Sequence, residues 1–449
     1  MKIIIFGTGK IYERYKCAFT SANLVVFLDN DADKHGRLLD GVEIVSPEKI
    51  NEYIYDYVIL ASVKYQDMRS QLISYGVPQE KIIDKEHRGI FKDIKCIKKY
   101  QNSVNDSSSK RIVMVSHHMG LTGAPLVLLK AAIILIQNGY EVELYADRYA
   151  ELVDKALEVR ISVSVFVDFD FTDTEIKQYF SNVDLIFVNT VTLFDLIKKL
   201  GRIEKPVLWW LHEEDDVYKH YLIKQDDLKV NRNVHVYGVG KRATRSFKKY
   251  SNNENIEELP YGVEEKKIPR VSNNEKTVFA IIGTVCERKA QDVLIETVLQ
   301  NKANWIENAE FWIIGNIIES LRVKYEMPGL VKVWGTIEHD KVLELYSEID
   351  VVVCPSRNDP LPVVVTEGMM NKKVCIVSDM TGSADYIIPY ESGLVCKAGD
   401  VESLEDCINW VLDNKQEMKR IGENAYQIYK KVFSMESFEK NILEIIENF

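Results

Sequence analysis

The sequence predicts an α/β protein, and three observations predict it. Short apolar runs rich in Ile, Val and Phe recur along the chain, and segments with helical spacing of their apolar residues lie between them. Glycine-bearing turns follow the first such run of each section: Gly7-Thr8-Gly9, then Gly120 with Gly123, then Gly283. Strand, glycine turn and helix in that order let a parallel sheet offer backbone N–H groups to a ligand. Finally, Gln101-Asn102-Ser103-Val104-Asn105-Asp106-Ser107-Ser108-Ser109 has too little apolar surface to fold, so it divides the chain.

A length of 449 residues suits about three domains at ~150 residues each. The expected division is a small module at 1–97, a linker at 98–110, two larger α/β domains at 111–262 and 263–430, and a closing helix at 431–449. No apolar run reaches about 18 residues, so no transmembrane helix is expected. A net charge of −11 argues against a general nucleic-acid binder. Seven cysteines (17, 96, 286, 354, 375, 396 and 407) form no Cys-x-x-Cys pair and no Cys/His cluster. They read as reduced core residues of a cytoplasmic protein, with no zinc site. The run Met1-Lys2-Ile3-Ile4-Ile5-Phe6 meets Gly7 at once, so it reads as a strand and not as a signal peptide.

In the first module, strands are expected at 3–6, 25–28 and 57–61. Asp29 closes the second, about twenty residues after Gly9, which is the spacing of a dinucleotide-binding turn and its ribose-binding acid. The third glycine of that pattern is absent and Tyr12 holds its place. Two readings stay open: a bound nucleotide, or a structural or docking module whose turn needs glycine for backbone reasons alone.

The next domain opens with a strand at 112–115, then Gly120, Gly123 and Pro125, then a helix at 126–137. Pro125 fits a helix start and the glycines allow close backbone approach. Further strands are expected at 141–145, 162–167, 184–188 and 207–211. The strings Asp168-Phe169-Asp170 and Asp29-Asn30-Asp31 read as surface acids, and no metal is assigned to either. The strand 207–211 delivers His212 and Glu213 at its carboxyl end, where α/β crevices lie, although a satisfied core histidine is the plain alternative. The basic run 241–250 is either a solvated helix face or a contact for an anionic membrane surface or an acceptor diphosphate.

The third domain starts with a strand at 278–282, Gly283, the cations Arg288 and Lys289, and a helix at 293–298. Strands at 311–314 and 331–334 end at Gly315 and Gly335. A strand at 349–354 then leads into Pro355-Ser356-Arg357-Asn358-Asp359-Pro360-Leu361-Pro362-Val363-Val364-Val365-Thr366-Glu367. Pro362 suits a first helical position, so the N–H groups around Leu361, Pro362, Val363 and Val364 form an anion site at a helix start. Asp359 lies in the loop and Glu367 one turn into the helix. Two carboxylates beside an anion site suit a nucleotide-sugar, with its diphosphate on the helix end and its hydroxyls on the acids. A second glycine turn into a helix is expected at 378–385, and a closing strand at 392–396.

The segment Asp359 to Glu367 resembles the Glu-x7-Glu signature of family-4 glycosyltransferases, which are retaining enzymes of the GT-B fold. Asp359 stands where that family has its first Glu, Glu367 is the second, and Leu361-Pro362 replaces Phe-Gly. The resemblance implies that the first acid contacts the transferred sugar and the second the nucleotide ribose. It further implies that Lys289, helped by Arg288, meets the donor diphosphate, with Thr284 replacing the usual Arg and Ala290 the usual Gly. His212 matches a histidine near the reacting sugar. Gly120 and Gly123 match the glycine-rich loop of the first half, and Gly283 the loop that opens the second. Trp334, Gly335 and Thr336 fall near the base. The resemblance covers about 111–449 and leaves the first module outside it.

What it implies is a GT-B architecture, two Rossmann-like domains facing a cleft, preceded by a small Rossmann-like module. The implied activity is retaining, metal-independent transfer of a hexosyl-type sugar from a nucleoside-diphosphate sugar. The acceptor would be a saccharide or lipid-linked saccharide in surface polysaccharide synthesis, in the cytoplasm or at the inner face of the cell membrane. No cofactor beyond the donor substrate is expected, and no nucleic acid. Two other functions stay open: an NAD-linked oxidoreductase or epimerase working through Gly7-Thr8-Gly9, and a non-catalytic nucleotide-sugar-binding scaffold.

Overall fold

The computed structural model describes residues 2–16, 23–62, 64–84, 109–147, 150–166, 169, 171–222, 230–251, 253–266 and 275–449. Most of the expected linker, together with Asp168, Asp170, Cys17 and Cys96, lies outside the described residues. The described residues form an α/β structure with predominantly parallel strands. It divides into two compact units: residues 1–188 with 195–205, and residues 189–194 with 206–449.

The first unit contains a six-stranded sheet ordered Leu38–Leu39, Val42–Val45, Asn23–Leu28, Lys2–Phe6, Tyr57–Leu60 and Ile82–Ile83. All its pairings are parallel except the outermost, between Leu38–Leu39 and Val42–Val45. The central strand Lys2–Phe6 is buried from Ile3 onward, as a parallel strand covered on both faces must be. The same unit holds a parallel run ordered Leu185–Asn189, Arg111–Ser116, Glu141–Ala146 and Ser162–Val165. The helix after Arg111–Ser116 spans Gly123–Gln137, so it starts before the expected 126 and places Pro125 inside its first turn. Proline is tolerated there because a first-turn N–H has no intrahelical acceptor.

The second unit contains the parallel run Val207–Leu211, Val234–Gly238 and Ile256–Glu258. It also contains a six-stranded parallel sheet ordered Val331–Gly335, Ala309–Ile314, Thr277–Ile282, Val351–Cys354, Val374–Ser378 and Leu394–Cys396. In that sheet the chain runs outward from Thr277–Ile282 in one direction, then returns and runs outward from Val351–Cys354 in the other. The two strands are neighbours, Phe279 facing Val351 and Ala280 facing Val352. Their carboxyl ends therefore flank a topological switch point, where an open α/β sheet leaves a crevice.

Several element boundaries differ from those expected. The strand expected from 349 begins at Val351, and just before it the Asp350 carboxylate accepts the Val278 N–H at 3.0 Å. The helix expected at 293–298 runs from Gln291 to Trp305, and the buried Trp305 donates its indole N–H to Asn409 at 2.9 Å. Pro362 is the residue before the helix Val363–Met370, with ψ 120°, and not its first residue. The second glycine turn gives only a short 3₁₀ turn, Gly382–Asp385. Near the C-terminus, the ring of Phe438 stacks on Trp210 at 5.8 Å and the Val263 N–H donates to the Phe433 carbonyl.

Candidate functional site

The switch point of the second unit gathers the charged residues singled out in the sequence. Gly283 ends the strand Thr277–Ile282, and the turn Glu287–Lys289 follows it. From this turn Lys289 donates to Asp359 Oδ2 at 2.6 Å and Arg288 donates to the same oxygen at 3.0 Å. Arg288 also donates to the Asn358 carbonyl. Asp359 is buried, and its Oδ1 has no partner among the described residues. Burial is the largest single influence on the Lys289 ammonium and would depress it, but the Asp359 charge and hydrogen bond, with the nearby Cys354, together hold the lysine above its usual range. Ala290, where the resembled family has glycine, sits in the left-handed region at φ 58°. The usual glycine is thereby explained, since only glycine adopts that conformation without a steric cost.

Two further contacts fix the loop that carries Asp359. Arg357 clamps Asp292 through both guanidinium ends, at 2.9 and 2.7 Å, and its N–H donates to the Arg288 carbonyl. On the other side the Asp359 N–H donates to the Met380 carbonyl and the Gly382 N–H to the Asp359 carbonyl. A Cβ on Gly382 would overlap the Pro360 carbonyl oxygen, so this close approach of two turns needs glycine.

The helix Val363–Met370 starts beside this cluster, and the first-turn N–H groups of a helix have no intrahelical acceptor. Leu361 is buried ahead of it, and its carbonyl accepts the Tyr261 hydroxyl at 2.6 Å. One turn in, Glu367 is buried and engaged at both oxygens: His339 Nε2 lies 2.9 Å from Oε1, and the Tyr346 hydroxyl 3.2 Å from Oε2. Sequence reasoning passed over His339. It follows the glycine turn after Val331–Gly335 much as His212 follows its strand, and that signal could have found it.

His212 stands directly after the strand Val207–Leu211, its ring edge against Trp210 at 4.7 Å. The next residue, Glu213, accepts the backbone N–H groups of Val191 and His212 at 3.0 Å each. Burial raises its pKa to about 7, and those two N–H groups offset the rise only in part. Glu214 accepts from Arg242, and Asn358 donates to Asp216 at 2.8 Å. The His212 loop is thus tied to the Asp359 loop within the same unit.

The other residues named from the sequence have partners of their own. Gly120 and Gly123 belong to the first unit, where the Gly120 N–H donates to His118 Nδ1 and Gly123 opens its helix. Trp334 meets Trp312 at 5.1 Å, with the Lys332 ammonium 3.7 Å over its ring, and Gly335 turns the chain at φ 73°. In the first module the Asp29 carboxylate accepts from the Thr8 N–H, the Thr8 hydroxyl and Lys34. Cations of the basic run are engaged internally: Arg242 with Glu214, Arg245 with Asp385, Lys248 with Glu254 and Lys249 with Asp215. Among the described residues no helix is long and apolar enough to cross a membrane, and no group of three or more His, Cys, Asp or Glu could hold a metal ion.

Comparison with known proteins assigns the class. Residues 263–428 match the model of "Glycosyl transferases group 1" and residues 108–283 that of "Glycosyl-transferase family 4". Residues 1–83 match "C2185-like, N-terminal". The chain belongs to the family-4 glycosyltransferases and has the GT-B fold, with an additional N-terminal α/β module. It is 25% identical over 171 residues to an uncharacterized glycosyltransferase, MJ1178, of Methanocaldococcus jannaschii, covering 37% of this chain and 46% of that one. It is 26% identical over 134 residues to the N,N'-diacetylbacillosaminyl-diphospho-undecaprenol alpha-1,3-N-acetylgalactosaminyltransferase of Campylobacter jejuni, covering 29% and 34%. The chain thus spans under half the length of these curated relatives. Among solved structures it resembles Anabaena Alr3699/HepE in complex with UDP and glucose, with a TM-score of 0.64 at 16% identity, over 76% of this chain and all of that one.

Proposed function

We propose that this glycosyltransferase moves a sugar, with retention, from a nucleoside-diphosphate sugar to a saccharide acceptor in surface polysaccharide synthesis. The observation that carries the reading is the convergence of Arg288, Lys289, Asp359 and the start of helix Val363–Met370 at one switch point. Two cations and a helix N-terminus suit a diphosphate, because charge-assisted hydrogen bonds are the strong ones. Glu367 accepts from the ribose hydroxyls, Asp359 Oδ1 from a hydroxyl of the transferred sugar, and His212 lines the reacting face. Trp334 and Gly335 border the base.

The acceptor oxygen bonds to the anomeric carbon on the face from which the diphosphate leaves. The carbon–oxygen bond to phosphate breaks, its electron pair stays with the leaving group, and the acceptor proton passes to a departing phosphate oxygen. Lys289, Arg288 and the N–H groups at 363–364 stabilise the charge that develops there. These fixed cations supply the neutralisation that a divalent metal supplies in other sites, so transfer proceeds without one. The Campylobacter relative's name specifies an undecaprenol-linked acceptor, which makes a lipid-linked saccharide the first acceptor to test.

The test is a thermal-shift panel of UDP, GDP, dTDP, ADP and NAD on the full chain, with UDP first because the Anabaena protein was solved with it. A ligand at 100 times its dissociation constant adds about 2.7 kcal/mol. One nucleoside diphosphate should raise the melting temperature, and Glu367→Ala should abolish the rise. A shift with NAD alone, unaffected by Glu367→Ala, would overturn the reading.

A further inference from the structure

We propose that His339 is a positioning residue that holds the Glu367 carboxylate in place for the donor ribose, and that its protonation state sets how tightly the nucleoside diphosphate binds. The inference rests on the reading of Glu367 as the ribose acceptor. It begins with an asymmetry. The Glu367 side chain is 4% exposed and its partner His339 is 67% exposed. One oxygen of a buried carboxylate is thus held by a ring that exchanges protons freely with solvent. Glu367 has no other cation at hydrogen-bond distance among the described residues; its second contact is the Tyr346 hydroxyl, which also lies 3.1 Å from the Val364 carbonyl. A single phenolic proton cannot fully serve both acceptors, so the angle of the carboxylate depends on His339.

The chemistry of that contact has a definite sense. Towards a carboxylate the ring nitrogen must donate, and it does so as the Nε2–H tautomer or as imidazolium. The charged form makes the stronger bond. The groups that face the ring are Glu367, Lys266 and Asp340, with Lys266 itself paired to Asp340 at 2.8 Å. Their combined effect favours the charged ring: the bond to Glu367 outweighs both burial and the Lys266 charge. An imidazolium beside Glu367 adds positive charge next to a site for an anionic ligand. Affinity is therefore highest below the pKa of His339 and falls as pH rises through it. His339 also opens the helix His339–Leu345, directly after the turn that borders the base, so its position spans the nucleoside end of the site.

The experiment uses the full-length chain and whichever of UDP, GDP and ADP binds most tightly. Dissociation constants are measured at pH 6 and pH 8 for wild type, His339→Ala, His339→Gln, Glu367→Gln and the His339→Ala/Glu367→Gln double variant. Expected is a loss of about tenfold in His339→Ala, and a smaller one at pH 8 in His339→Gln, whose amide donates near the place of Nε2. The ratio of His339→Gln to wild type should be larger at pH 6, and this ratio cancels any titration of the ligand. In the Glu367→Gln background the His339→Ala loss should vanish, with turnover at saturating donor kept in His339→Gln. Wild-type affinity in His339→Ala, with affinity lost in Glu367→Gln, would overturn the proposal and leave the ribose reading intact. Failure of all three nucleotides to bind wild type, or no effect of Glu367→Gln, would overturn the ribose reading first. Equal melting temperatures of wild type and His339→Gln separate positioning from a general structural role.

Discussion

The ammonium of Lys289 and the carboxylate of Asp359 meet at 2.6 Å across seventy residues of sequence. Both side chains are largely buried, at 17% and 8% exposure, so neither charge can fall back on water if the other is removed. Breaking such a pair costs about 3–5 kcal/mol when one charge is stranded. Here Arg288 remains beside Asp359, so Lys289→Ala should cost about 2–4 kcal/mol in urea unfolding and abolish sugar transfer. The neutral pair Lys289→Met with Asp359→Asn should recover most of the stability and none of the transfer. Recovery of activity in that pair would show that the charges serve folding alone.

Glu213 sets a pH dependence of opposite origin. Its pKa rises from 4.5 to about 7 because its carboxylate is shielded from water and the backbone N–H donors offset this only in part, with no cation paired to it among the described residues. The folded state therefore holds a proton that the unfolded state releases, and stability falls as pH climbs from about 4.5 to about 7. Glu213→Gln keeps the shape without the ionisation. Its unfolding free energy should exceed that of wild type at pH 8, by up to about 3 kcal/mol, and match it near pH 4, with the melting temperatures moving in the same sense. A gap that does not change with pH would mean that Glu213 is ionised in the folded state at little cost.

The bidentate contact of Arg245 with Asp385 joins the basic helix Lys241–Ser251 to the turn Gly382–Asp385. Arg245 is 58% exposed, and pairs of that kind contribute only about 0.5–1 kcal/mol. A double-mutant cycle with Arg245→Gln and Asp385→Asn should return a coupling of that size, lost at about 1 M salt. A coupling above about 2 kcal/mol would mean that the pair is far more shielded than its exposure indicates.

Gly382→Ala should be among the most damaging single-methyl additions in the second unit. The new Cβ has nowhere to go, because the Pro360 carbonyl already occupies its place and both neighbouring turns are hydrogen-bonded to each other. Moving the Pro360 peptide moves Asp359. We expect a loss of about 2–3 kcal/mol and weaker binding of the nucleoside diphosphate, read by urea unfolding and titration. Gly123→Ala, at a position with open space, is the control that should leave stability within about 0.5 kcal/mol.

Much of this molecule was legible in the sequence, and its local character explains why. Runs such as Val207–Leu211 and Thr277–Ile282 are buried strands because every side chain in them is apolar or small, and their limits came out within a residue or two. The glycine turns, the paired cations 288–289 and the acids 359 and 367 were visible for the same reason: each is a pattern within about ten residues of chain, where backbone geometry alone restricts the outcome. Other features depended on which strands became neighbours. Adjacency of Thr277–Ile282 and Val351–Cys354 sends Arg288 and Lys289 to the same carboxylate oxygen. The turn after Val331–Gly335 brings His339 to Glu367, and the Asp350 carboxylate reaches the Val278 N–H on the neighbouring strand. Such contacts join residues 28 to 72 positions apart. No local pattern specifies them, because strand order is decided by burying apolar faces of the whole sheet at once, and only then do the charges at its edge find their partners.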